Sequence, residues 1–258
     1  MTHFERPIQT AHVNYAEKTK TAAVSPASGN NLVFVGGTVN NRAGAAQILG
    51  VGFKLNNARW KAGQWDDSAG ASYTDDTTDA QSAGGADFPL FTLVNDDGFV
   101  VQALDKFGII GIDVGTAEVG AATYVVEYWN GTAWTDMVTI EEPTAYTAVE
   151  QVISFSPPID WTQLAAGDVP VDTDGLDAGK YAIKVDASAA SATTAAVADE
   201  LWVAKLHQYK EEVADNDLLN VVIEDPIGLA LQAGESIIPY FQTTSANNSF
   251  TVRYRETG

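Results

Sequence analysis

The stretch that decides the fold is Tyr124-Val-Val-Glu-Tyr-Trp-Asn-Gly-Thr-Ala-Trp-Thr-Asp-Met-Val-Thr-Ile140. Two runs rich in Tyr, Val, Trp and Ile flank Asn130-Gly131, a dipeptide that readily takes positive φ and marks a hairpin turn. A two-residue loop would set Trp129 opposite Thr132 and Glu127 opposite Trp134. A four-residue loop would set Trp129 opposite Trp134 as an aromatic cross-strand pair. A slip of one residue exchanges the faces, and the sequence leaves both registers open. In either register the stretch specifies an antiparallel β-sandwich or barrel, and by itself it specifies no chemistry.

Working outward, the same strand chemistry recurs at short spacing. Leu32-Val-Phe-Val35 ends at Gly36-Gly37, and Leu49, Val51, Phe53 and Leu55 share one face of the next run. Phe99–Leu104 and Gly108–Val114 read as a further pair of strands. Val149–Phe155 stops at Pro157-Pro158, which cannot donate to a ladder. Over Lys180–Asp186, Tyr181, Ile183 and Val185 alternate with Lys180, Lys184 and Asp186, so the latter three are expected to face outward. Leu201–Lys210 has passable helix propensity, but its Trp, Val and Tyr in a β context favour a strand. Phe250, Val252 and Tyr254 alternate inward in the last run. Scarcely one helix of ordinary length can be placed, and the chain reads as all-β.

Two regions lack this patterning. Residues 1–31 are polar, carry Pro7 and Pro26, and read as an extended arm, free or draped, that orders on a neighbour. The tract from Asp66 to Asp87 mixes Asp with Ser, Gly, Ala and Thr and reads as a long exposed acidic loop. The expected organisation is an arm over 1–31 and a β-sandwich domain over 32–258.

Charge narrows the partners. The chain of 258 residues has 14 Lys+Arg against 34 Asp+Glu, a formal charge of −20. Such a field repels phosphate backbones and anionic lipid, so neither nucleic acid nor membrane is expected as a partner. No apolar run approaches the ~20 residues that span a bilayer. Met1-Thr-His-Phe-Glu-Arg-Pro7 has no apolar segment after a basic start, and we expect synthesis in a cytoplasm without a signal peptide. Hence the glycosylation patterns at Asn130-Gly-Thr132 and Asn247-Asn-Ser249 carry no weight. With no cysteine there is no disulfide and no thiolate chemistry.

A search for catalytic patterns ends without one. The histidines are His3, His12 and His207, and no Gly-x-Ser-x-Gly elbow presents a serine to any of them. Gly108–Gly115 lacks the glycine order of a dinucleotide site. Asp172, Asp174 and Asp177 bunch around Gly175 within Asp168–Asp177 and are the best oxygen set for calcium, with the Asp66–Asp79 loop second. The run lacks the closing glutamate of an EF-hand loop and serves equally as a solvated turn. The six tryptophans could line a sugar platform, but core packing is the commoner use. We therefore assign no catalytic residue, no metal ligand and no cofactor, and expect a protein that is not an enzyme.

One region has a family likeness. Glu127-Tyr-Trp-Asn-Gly-Thr-Ala-Trp134, then Ile153-Ser-Phe-Ser-Pro-Pro-Ile-Asp-Trp161, then Gly175-Leu-Asp-Ala-Gly-Lys-Tyr-Ala-Ile-Lys-Val185 follow in order. That order resembles a jelly-roll β-sandwich module of tailed-bacteriophage virion structural proteins, across about residues 120–190. The sequence departs from it at Ala182, where a larger residue is common, and in the acidic insert around Asp172. The resemblance implies a virion location and a capsid decoration or cement role. The partner would be the major capsid protein or another virion protein, met by a homo-oligomer, a trimer being one count that suits capsomer junctions, with residues 1–31 as anchor. The alternative is a carbohydrate-binding tail or baseplate module that recognises the host surface.

Overall fold

The computed structural model describes residues 7–18, 21–67, 71–84, 87–93, 97–120, 122–147, 150–188, 192–223 and 228–257, with the side chains of 172–174 and 211 left aside. In chain order the elements are β1 (Gln9–Tyr15), β2 (Asn31–Asn40), β3 (Gln47–Lys54), β4 (Trp60–Asp66), β5 (Ser72–Asp75), α1 (Thr77–Ala80), β6 (Phe88–Pro89), β7 (Asp97–Ala103), β8 (Ile109–Thr116) and β9 (Thr123–Trp129). They continue with β10 (Trp134–Asp136), β11 (Thr139–Glu141), β12 (Glu150–Phe155), α2 (Val169–Asp174), β13 (Tyr181–Ser188), β14 (Val197–Val213), β15 (Leu218–Val222), β16 (Leu229–Ala230), β17 (Ser236–Phe241) and β18 (Asn248–Thr257). The protein is all-β, and the strand pairs whose register is given above and below are antiparallel. Two compact units replace the single domain expected over 32–258. One is Met1–Asn56 with Ala204–Gly258, the other Asn57–Val203.

The first unit is a two-layer sandwich. One layer runs β1-β18-β2-β15, with β16 also on β2. In the other, β3 lies between β17 and the second half of β14, from Ala204↔Lys54 to Val213↔Gln47. Phe34, Val39 and Phe250 from one layer meet Leu49, Val51 and Ile237 from the other in a shared core. Leu49, Val51 and Phe53 do share a buried face, as the sequence pattern requires.

The segment read as an arm is built into this unit. Ala11, Val13 and Tyr15 of β1 stand opposite Val252, Phe250 and Asn248 of β18, and Tyr15 is buried. Val24 adds a bridge to Ile237 and is buried in the same core. The alternation in Thr10-Ala-His-Val-Asn-Tyr15 is too weak in apolar mass to read as a strand alone; the existing edge of β18 supplies the rest. Met1–Arg6 lie outside the described residues.

A buried amide network fixes one end of this unit. The Asn41 side chain is fully buried; its Nδ2 donates to the carbonyls of Ala45 and Val213, both at 2.7 Å. Its Oδ1 accepts from Ala43 N at 3.0 Å and from Gln47 Nε2 at 2.6 Å. Gln47 Oε1 accepts from Thr243 N at 2.9 Å, and Asn248 Oδ1 accepts from Arg42 N at 2.9 Å. Three loops are thereby tied by side chains that have no access to water.

In the second unit one sheet runs β10-β9-β13-β7-β4-β5. The other carries β11, β12, β8 and the first part of β14, with β6 at Val197 and Ala198. Trp161 bridges the two. Its ring lies 6.0 Å from Phe155 of β12 and 5.4 Å from Tyr181 of β13, and its Nε1 donates to Ala182 O at 3.1 Å. Gly111 of β8 is required by the indole of Trp202, since an added Cβ would fall 1.7 Å from that ring. This accounts for a glycine in the run that resembles, but is not, a dinucleotide loop.

Three further expectations change. The runs at Phe99–Leu104 and Gly108–Val114 are strands β7 and β8, but they belong to different sheets and do not pair. The acidic tract contains β5, paired with β4 from Gly63↔Asp75 to Asp66↔Ser72, and the short helix α1. It is held because Tyr73 packs over side-chain-free Gly63, while Thr77 Oγ1 accepts from Ala62 N at 3.2 Å and Gln81 Nε2 donates to Trp60 O at 3.0 Å. Residues 68–70 and 85–86 of that tract lie outside the description. Finally, Lys184 and Asp186 of β13 are buried rather than outward.

The Asn41 network yields a direct expectation. Asn41→Ala removes the partner of the buried Val213 carbonyl and of Gln47 Nε2, and of the half-buried bonds to Ala45 O and Ala43 N, and each group orphaned away from water costs about 1–3 kcal/mol. We expect a loss of about 3 kcal/mol in urea unfolding; a loss below about 0.5 kcal/mol, the range of neutral surface changes, would contradict the network's role.

Candidate functional site

The Asn130-Gly131 turn resolves into the four-residue loop. Trp129 pairs with Trp134, Tyr128 with Thr135 and Glu127 with Asp136. The choice is made by the Asn130 side chain. Its Oδ1 accepts from Thr132 N at 2.9 Å and Ala133 N at 3.0 Å, its Nδ2 donates to Thr135 Oγ1 at 2.9 Å, and Gly131 takes φ +100°. The Asn side chain mimics a backbone turn, and the glycine takes the left-handed step. The two indoles meet edge to face at 5.7 Å and 72°.

On its other edge β9 pairs with β13, which places Glu127 opposite Lys184. The Lys184 ammonium lies 2.7 Å from Glu127 Oε2 and 2.7 Å from Asp186 Oδ2. It also sits 5.2 Å above the ring of Trp65 and 5.3 Å above that of Trp134, as a cation between two aromatic faces. Trp65 and Trp134 are themselves 5.9 Å apart. The floor is Val100, Trp129 and Ala182, with Leu164 and Leu176 from the loop that carries α2. Asp168, at the N-terminus of α2, accepts from Trp129 Nε1 at 3.0 Å and Ala165 N at 2.7 Å, which ties that loop to the hairpin.

The electrostatics are unbalanced. Two carboxylates share one ammonium, and Asp186 Oδ1 is buried without a hydrogen-bond partner. Burial pushes the Asp186 carboxyl up to about 7; Lys184 pulls the other way, and Glu127 adds to the rise. For Lys184, burial alone lowers the value, but the charge and hydrogen bonds of Asp186 and Glu127 outweigh it and raise the group above its ordinary range. An amine held as ammonium is no nucleophile. What the cluster can do is fix β9, β13 and the indoles of β4 and β10 in one arrangement, and take up a proton near neutrality.

The residues singled out from sequence are placed as follows. Asp177 is bound by Lys180 at 2.7 Å and Lys61 at 2.9 Å; burial would raise its carboxyl, but these contacts hold it below the usual range. Asp168 is used by Trp129 and Ala165 as above, while the Asp172 and Asp174 side chains are outside the description. In the acidic tract, Asp75 is taken by Thr77 and Lys61. Among the described residues no group of three or more His, Asp or Glu is placed to hold a metal. His12 of β1 hydrogen-bonds Thr251 at 2.8 Å. His207 of β14 lies 6.0 Å and 5.2 Å from the rings of Phe34 and Phe53, and burial lowers its pKa. It borders a cleft of about 300 Å³ beside the Lys205–Glu235 pair, whose Nζ–Oε1 distance is 2.6 Å. His3 lies outside the described residues. None of the six tryptophans is exposed; five are buried and Trp134 is half-buried.

The Lys184 cluster escaped the sequence because period-two alternation assigns Lys184 and Asp186 to a wet face. The available signal was positional: two charges two residues apart, in a strand with strands on both sides, need an opposite charge across the sheet. Glu127 in the hairpin supplied it.

No family model matches the chain, and no curated protein or solved structure matches it.

The raised carboxyl has a definite pH sign. The folded state holds the Asp186 proton more tightly than the unfolded chain, so this stabilisation is complete below the ordinary carboxylate range and is lost as pH rises through about 7. Asp186→Asn, which cannot titrate, should gain on the parent as pH is raised from about 4 to 8, by up to about 1.4 kcal/mol per pH unit. Urea unfolding of both proteins across that range checks it. A difference that stays flat would contradict the raised carboxyl.

Proposed function

We propose that this chain is a structural virion protein of a tailed bacteriophage, a decoration or cement protein with a jelly-roll-like module, bound to the major capsid protein or another virion protein as a homo-oligomer. The observation that carries this reading is the convergence of the three stretches that resemble such proteins. They are separate in the sequence, and β9 and β10 pair at Trp129–Trp134, β9 pairs with β13, and Trp161 bonds the backbone of β13 at Ala182. The resemblance therefore falls on one packed ensemble rather than on three unrelated short matches.

The charge supports the same setting. A surface at −20 keeps free subunits apart until a specific docking face brings them onto a shell. Each subunit would stabilise the assembled shell by mass action, because it binds the closed lattice and not its dispersed parts. The carbohydrate-binding alternative has less support. It needs an open aromatic face, and Trp134, the one tryptophan that is not buried, is already occupied with Trp65 by the Lys184 ammonium.

The anchoring role given to residues 1–31 changes form. Their removal would strip Tyr15 and Val24 from the core, so truncation is a poor test of docking. A better one uses the whole chain. Purified protein is added to phage heads from a host strain in which its gene is deleted, followed by sedimentation and a heat challenge. We expect saturable co-sedimentation and slower loss of packaged DNA on heating. Protein that stays in the supernatant at every concentration would overturn the proposal.

A further inference from the structure

We infer that β1 is a self-pairing edge, through which two copies of this chain join their first-unit sheets about a twofold axis. The sheet order ends at β1, whose outer side meets no strand among the described residues. Such an edge presents a row of unpaired N–H and C=O groups, which proteins normally guard with charge, proline, irregularity or shortness. β1 has none of these. Gln-Thr-Ala-His-Val-Asn-Tyr is seven residues long, uncharged and free of proline, and pairs with β18 in unbroken register.

The other terminal strands are guarded. β17 carries Pro239 in its middle. β10 and β11 have three residues each, end in Asp136 and Glu141, and β11 is irregular. β5 ends in Asp75. β15 is uncharged but only five residues long, and the Asp217 carboxylate occupies its first N–H.

The occupant follows from charge and from the pattern of β1. In a chain at −20, a second copy meets least repulsion where carboxylates are missing, and β1 has none between Gln9 and Tyr15. Antiparallel pairing centred on His12 is the register that uses all seven residues. It sets His12 opposite His12 of the other copy, Thr10 opposite Asn14, and Ala11 opposite Val13. Thr10, His12 and Asn14 are the exposed set, whereas Ala11 and Val13 pack on the core, so both faces continue across the junction without a mismatch. A twofold axis makes the contact isologous and closed, so it yields a dimer rather than a filament. A strand of this length spans about 24 Å, which alone makes a small and therefore weak interface. High local concentration on a lattice would favour it.

The test is sedimentation equilibrium of the full chain and three single variants. The parent should show a monomer–dimer equilibrium that tightens with added salt, as the repulsion between two acidic copies is screened. His12→Glu should weaken the dimer by about tenfold or more, by placing like charges in contact at the axis, and His12→Lys should do the same. Mixing the two variants should restore a heterodimer, since a carboxylate from one copy then faces an ammonium from the other across the axis. His12 is exposed with its side chain on Thr251, and unchanged melting temperatures would show that both variants fold. A parent that remains monomeric up to its solubility limit would overturn the inference. So would variants that dimerise like the parent, a mixture that fails to restore pairing, a trimer, or an open-ended series. Loss of association in Asn220→Glu but not in His12→Glu would place the contact on β15 instead.

Discussion

The second unit depends on keeping one ammonium, Lys184, paired where water scarcely reaches. β7 is buried along its whole length, and β13 runs between it and β9. A charge in such a strand must find its partners within the protein, because a buried ion without them costs several kcal/mol. Glu127 and Asp186 meet that need, and the indoles of Trp65 and Trp134 close over the top. The burial of Trp65 and Trp129 and the seat of the α2 loop, whose Leu164 and Leu176 join the same cluster, go with this arrangement. A one-residue slip at Asn130-Gly131 would turn Trp134 of β10 to the other face and take its indole off the ammonium, while Glu127 keeps its place through the β9–β13 pairing.

Much of this was readable from residues. The hairpin at Asn130-Gly131, the strands around Leu49–Phe53 and Phe250–Tyr254, and the strand rather than helix at Leu201–Lys210 follow from β-propensity and period two. Tryptophan as core rather than surface platform follows from size and apolarity. The failures share a cause: information that lies in tertiary contact. β1 has weak apolar alternation and becomes a strand because β18 offers an edge. The acidic tract contains β5 because Gly63 makes room for Tyr73, a contact that composition cannot express. Lys184 and Asp186 are polar by type and buried by position, and only knowledge of both neighbouring strands would have said so. The turn register needed the Asn130 side chain, whose several hydrogen bonds select the four-residue loop.

The site and the proposed function meet on one point. Perturbed groups often mark catalysis, but here the lysine is kept charged and its carboxylates hold strands together. The chemistry is that of a fastened structural element. The remaining acidic surface repels like copies, while the uncharged edge at β1 gives them one place to meet.

The central claim is that this chain is a component of the virion, and the most direct measurement is cryo-microscopy of purified particles from a host carrying its gene. The account predicts ordered density on the particle that fits both β units, present in the parent and missing after gene deletion. Particles identical with and without the gene, and free of the protein by mass spectrometry, would contradict it.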